Sequence, residues 1–195
     1  MIYTLLVGRR EVERSCILFA SIGAAILNAH LRIPARAVAG AFFLRFNDGG
    51  PPSEGIAFAA RKDGVMRAAE DGFHMWVQTQ HHIVDFMAPI FRETARGFKR
   101  DTQVPRRSFQ RRLSEEAISL DAMARAGDFY TMPDLELTES LVNGLLERPS
   151  NGDLIRAALR WFKPYPQKLD DLTLADDAGE LQRLEPHAPS ITGVW

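Results

Sequence analysis

The residue with the most chemistry in this 195-residue chain is its single cysteine, Cys16. Thiolate, not thiol, is the attacking species, and a free cysteine with a pKa of about 8.5 is mostly protonated at neutral pH. Cys16 opens an apolar stretch that reads as a helix, and the unsatisfied N–H groups and positive dipole end of a first helical turn favour an anion. A neighbouring imidazolium supplies the rest. His74 is the candidate ring, in a short predicted strand, and Asp85, on the next strand, is the candidate carboxylate to orient it. A hairpin centred between Thr79 and Gln80 sets position 74 directly opposite position 85, with Cβ atoms roughly 4.5–5.5 Å apart. A one-residue slip would send the two side chains to opposite faces. Singly, a buried cysteine is a small hydrophobe, a histidine fills a core and an aspartate ends a strand. The joint arrangement points instead to a nucleophile, a base and an orienting group.

The elements that must position these groups follow from patterning. Residues 16–30 are apolar almost all round (Ile17, Leu18, Phe19, Ile22, Ile26 and Leu27), which predicts a buried helix. Ser15 is its expected N-cap, and Pro34 ends it. A strand over 36–46 follows, then a Gly- and Pro-rich turn over 47–55, a strand over 56–61, and short strands over 73–78 and 83–86. The second half reads as mainly helical. After a basic stretch over 92–112, a capping signature at Ser114-Glu115-Glu116 predicts a helix over 114–126, with further helices over 138–147 and 153–162 and a terminal hairpin at 172–174 and 181–184. The fold class is therefore α+β, with residues 1–90 as a core and 91–195 as a basic connection and helical region packed on the same unit.

Composition narrows the function classes. A formal net charge of −1 gives no overall field toward nucleic acid or membrane. One cysteine allows no intrachain disulfide, which fits a reducing cytoplasm. The apolar run after Arg9, Arg10 and Arg14 imitates a secretory signal, but cleavage there would discard the only thiol, and the run is too short to span a bilayer, which takes roughly 20 apolar residues. Two rivals use other residues. His74, His81, His82, Asp85 and Cys16 are metal-ligand types, yet adjacent His81 and His82 point to opposite sides of a strand and the spacing fits no metal motif; no metal or cofactor is expected. Arg92, Arg96, Lys99, Arg100, Arg106, Arg107, Arg111 and Arg112, with Phe98 and Phe109, form a basic tract that in a binding protein would grip phosphates and stack bases. The plainer reading is a solvated loop balanced by Asp170, Asp171, Asp176 and Asp177, or a surface that recognises an anionic substrate. Trp161, Phe162 and Trp195 read as core or interface, the latter leaving room for a homodimer.

The residues around Cys16, His74 and Asp85 also resemble a family pattern. Transglutaminase-like proteins, including relatives of arylamine N-acetyltransferases, open a buried helix with cysteine; an Ile-Pro-Ala-Arg-like loop then enters a strand with a Val-x-Gly segment, followed by His-x-Trp-Val and an aspartate on the next strand. Here these are Cys16, Ile33-Pro34-Ala35-Arg36-Ala37-Val38-Ala39-Gly40, His74-Met75-Trp76-Val77 and Asp85. The pattern also resembles an uncharacterised bacterial family grouped with the papain-like cysteine proteinases. The resemblance covers about 15–89 and implies a cysteine-proteinase-like core, a helix packed on an antiparallel sheet. It implies a cysteine-dependent hydrolase of amide or peptide bonds that acts on a small-molecule or peptide acyl substrate through an acyl-enzyme. The alternatives are an acyltransferase of transglutaminase or N-acetyltransferase type, or an inactive binding member of the fold. The chain departs from the pattern around the thiol, with Arg14-Ser15-Cys16-Ile17 in place of a following Trp or a preceding Arg-Gly-Gly. It also has no glutamine upstream of Cys16 for a papain-style oxyanion hole. Gln78, Trp76 and Ser15 are the side chains expected to meet an oxyanion or substrate, beside the backbone N–H of Cys16.

Overall fold

Helix α1 (Ser15–Leu31) takes up the apolar stretch. The computed structural model describes residues 15–49, 55–97, 104–162, 172–175, 179–184 and 190–195. The helix buries residues round most of its circumference, from Cys16 and Phe19 to Ile22 and Ile26, because the sheet lies on one side of it and two later helices pack on another. Its C-terminus closes with Arg32 at φ 56°, in the left-handed region, and with Ile33 N–H donating back to the Leu27 carbonyl at 2.9 Å, so that the left-handed residue folds the chain back over the last turn. Asn28 staples this turn, donating to the carbonyls of Ala24 (2.8 Å) and Ala35 (2.7 Å).

The sheet is built on β1 (Ala35–Arg45), buried at every position from Val38 onward. The first half of β1 pairs with β5 (His74–Thr79) and its second half with β2 (Gly55–Phe58). Its other edge pairs with β8 (Phe129–Pro133). Beyond β5 come β6 (His82–Asp85) and β7 (Phe109–Arg112), so all six strands are antiparallel to their neighbours. Strands β3 (Ala60–Lys62) and β4 (Val65–Arg67) make a separate hairpin, as do β9 (Leu172–Ala175) and β10 (Leu181–Leu184), in good agreement with the expected terminal hairpin.

The sheet curls. β7 and β8 stand four strand spacings apart, about 19 Å in a flat sheet. Yet the Phe109 and Phe129 rings meet edge-on at 5.3 Å, and Phe42 of β1 touches Phe109 at 5.5 Å. The concave face thus gathers Phe42, Phe58, Trp76, Ile83, Phe109 and Phe129 into one buried cluster.

The second half departs from its mainly helical reading. Helices α2 (Phe91–Gly97), α3 (Leu135–Leu146) and α4 (Pro149–Trp161) are present, but β7 and β8 complete the sheet, so a division at residue 90 passes through it. The helix expected over 114–126 is instead two single 3₁₀ turns, Leu113–Glu115 and Leu120–Ala122. The reason is competition for its polar groups. Glu116 accepts from the Thr131 N–H at 2.6 Å and Ala117 N–H donates to the Phe129 carbonyl at 2.9 Å, so the segment straps β8 rather than coiling. Ile118, part of the apolar spacing, is 92% exposed.

Candidate active site

Cys16, His74 and Asp85 come together. Cys16 lies on the first turn of α1, His74 is the first residue of β5 and Asp85 the last of β6. All three are buried, 2%, 1% and 3% exposed. His74 Nε2 and Asp85 Oδ2 are 2.6 Å apart. The other carboxylate oxygen, Oδ1, accepts from the Met87 N–H at 2.8 Å, an aspartate turn that opens the 3₁₀ helix Ala88–Ile90 with Pro89 inside it. Both oxygens are therefore fixed, and Nδ1 of the ring is left for the sulfur.

The hairpin register differs from the expected one without breaking the constellation. Val77 pairs with Val84 and Gln78 with Ile83, so the loop centres on Gln80-His81 and position 74 is diagonal to 85 rather than directly opposed. Moving the turn centre by one residue shifts the pairing by two, which preserves the shared face, and a diagonal neighbour is within reach of an imidazole. Thr79 holds this turn, its hydroxyl accepting from the N–H groups of His82 (2.9 Å) and His81 (3.3 Å).

An aromatic shell closes over the ring. Phe58 stacks on His74 at 4.4 Å, Phe42 stands at 5.2 Å and Phe91 meets it edge-on at 5.3 Å. Burial alone pushes the proton off an imidazole. Here the charge and hydrogen bond of Asp85, and the Cys16 sulfur as hydrogen-bond partner and charge, outweigh it and raise the His74 pKa from 6.5 to about 10. An imidazolium beside a sulfur is the setting in which a thiolate nucleophile is favoured.

The three expected oxyanion contacts fare differently. Gln78 is half-buried four residues along β5 from His74, about 13 Å along the strand. Trp76 stands across from Asp85 in the observed register and is fully buried, and its indole N–H has no partner among the described residues. Ser15 is buried, the first described residue of α1. Among the described residues no three His, Cys, Asp or Glu side chains converge as a metal-holding group. Cys16, His74 and Asp85 meet in a line, not round a point.

A family model described as "Protein of unknown function (DUF2026)" matches residues 1–195. The chain belongs to this family. No curated protein matches it. It is similar to a solved structure described as "The crystal structure of genomics APC5867", with 28% identity and a TM-score of 0.85 over 100% of this chain and 91% of that one. No helix among the described residues of this DUF2026 protein is long and apolar enough to cross a membrane.

Most of the tract's described basic side chains are spent internally. Arg106 pairs with Glu93 and donates to the Pro89 carbonyl, Arg92 donates to the Val104 carbonyl at 2.9 Å, Arg111 binds Glu115 and the Gly127 carbonyl, and Arg107 lies over the Trp195 ring at 4.7 Å. Phe109 is buried and cannot stack on a base. Phe98, Lys99, Arg100 and the four expected balancing aspartates lie outside the described residues.

Sequence reasoning missed the Phe42, Phe58 and Phe91 shell, the Met87 anchor and the Thr79 turn lock. Only the anchor had a local signal, the Asp85-Phe86-Met87-Ala88-Pro89 run.

Proposed function

We propose that this chain is a cysteine-dependent hydrolase of amide or peptide bonds working through an acyl-enzyme, on a transglutaminase-like core. The observation that carries the reading is the buried line from the Cys16 sulfur to His74 to an Asp85 carboxylate held at both oxygens. The order of helix, strand and strand around these residues supports the family resemblance. The lone thiol fits a reducing cytoplasm.

In this reading the Cys16 thiolate attacks the acyl carbon and the carbonyl electrons move onto oxygen. Backbone N–H groups on the first turn of α1, which have no intrahelical acceptor, receive that oxyanion. The C–N bond breaks as the His74 imidazolium passes its proton to the departing amine, leaving a thioester. Water then gives a proton to His74 and its oxygen to the acyl carbon, and sulfur leaves as thiolate. Asp85 holds the ring's orientation throughout. Because Cys16 is buried, substrate entry requires neighbouring side chains to part.

The test is a panel of acyl amides and thioesters, read by turnover and by intact mass for an acyl adduct. Turnover and the adduct should both vanish in Cys16→Ala and His74→Ala. Release to an added amine in preference to water would move the reading to acyl transfer. Turnover that survives Cys16→Ala would sink it. If no substrate is turned over, the pH profile of Cys16 alkylation by a small reagent decides. A rate already high near pH 6.5 and lowered by His74→Ala supports an activated thiol, whereas a rise centred near pH 8.5 in both proteins favours an inactive member of the fold.

A further inference from the structure

The tract's remaining described guanidinium leads away from the thiol. Arg112 forms no close ion pair among the described residues, although it caps the 3₁₀ turn Leu113–Glu115 and its charge reaches Glu115. It lines a cavity of about 410 Å³ together with Gln80, His81, His82, Leu113 and Ser114. His82 and Arg112 are direct cross-strand partners in the β6–β7 ladder, so their side chains leave the same face with Cβ atoms roughly 5 Å apart. Period-two alternation puts that face on the far side of the sheet from Asp85, and the cavity lies at the opposite end of the hairpin, so it is separate from the Cys16 site.

We propose that this cavity is a binding site for a tetrahedral oxyanion, a phosphate or the phosphoryl group of a small molecule. Arginine presents a planar fork suited to two oxygens of such a group. The His81 and His82 imidazoles, the Ser114 hydroxyl and the Gln80 amide bring further donors, and no carboxylate lines the cavity. Glu115, next along the chain, accepts from Arg111 Nε at 3.2 Å and from the Arg112 backbone N–H at 2.8 Å, and these bonds, with the charges of both arginines, hold its carboxyl below the usual range. The walls are pre-formed: Leu113 N–H donates to the His81 carbonyl at 2.9 Å, tying the start of the 3₁₀ turn to the hairpin loop, and Thr79 fixes that loop. A ligand here therefore pays little to order its site.

The experiment titrates the full-length protein with inorganic phosphate, acetate and chloride at fixed ionic strength, following the His81 and His82 imidazole signals by NMR. Phosphate should give saturable shifts and bind more tightly than acetate, and chloride should give none. Arg112→Gln should weaken phosphate by about tenfold or more, as loss of a charged hydrogen-bonding partner does, and Arg112→Lys should fall between. Arg107→Gln and Cys16→Ala should bind like wild type, which keeps this site's fate independent of the thiol's. Shifts that never saturate, acetate binding as tight as phosphate, or an unchanged affinity in Arg112→Gln would each overturn the assignment.

Discussion

Asp85 uses each carboxylate oxygen for a different purpose, one on His74 and one on the Met87 backbone. Replacing it therefore separates chemistry from folding. Asp85→Asn keeps an oxygen for Met87 but presents an amide to Nε2, so the ring settles in the wrong tautomer. Turnover of any identified substrate should fall by roughly 10⁴-fold with little loss of secondary structure. Asp85→Ala removes both contacts and leaves a buried imidazole unpaired, which should cost about 3–5 kcal/mol in denaturant unfolding. If the Asn variant retains full turnover, the carboxylate does not orient the ring.

At the scale of elements, the site depends on close approaches that only glycine permits. A Cβ on Gly40, the β1 residue paired with both His74 and Pro133, would stand 2.3 Å from the Met132 carbonyl oxygen. The obstacle is backbone, so Gly40→Ala should cost about 1–3 kcal/mol or more and disturb the His74 signal in NMR. Gly23→Ala would instead drive into the Phe86 ring at 2.3 Å, separating α1 from the segment just after Asp85. It should lower thermal stability and slow alkylation changes at Cys16 less than Gly40→Ala does. The turn is a gentler test. Thr79→Val removes the hydroxyl that holds the His81 and His82 N–H groups and should cost about 1 kcal/mol, while the apolar inner face keeps the register.

For the molecule as a whole, the buried His74–Asp85 pair couples folding to pH. The folded ring titrates at about 10 and the unfolded ring at 6.5. Below pH 6.5 both states hold the proton and the stabilisation is complete. Between 6.5 and about 10 folding takes up a proton, so stability falls as pH rises, and above that window the contribution is gone. Thermal unfolding across this range should show the advantage of wild type over His74→Gln shrinking with rising pH. An advantage that grows with pH would contradict the charged ring.

The sequence by itself determined the α1 helix, the β1, β5 and β6 strands to within a residue or two, the terminal hairpin, and the three residues that meet at the thiol. These are signals of short range: apolar runs, a proline stop, and alternation that survives a two-residue change of pairing. Only the tertiary structure decided the curl that packs Phe42, Phe58 and Phe91 around the His74 ring, since each comes from a distant segment. It also decided that 114–126 straps β8 rather than coiling, because Glu116 and Ala117 found sheet partners that no local pattern announces.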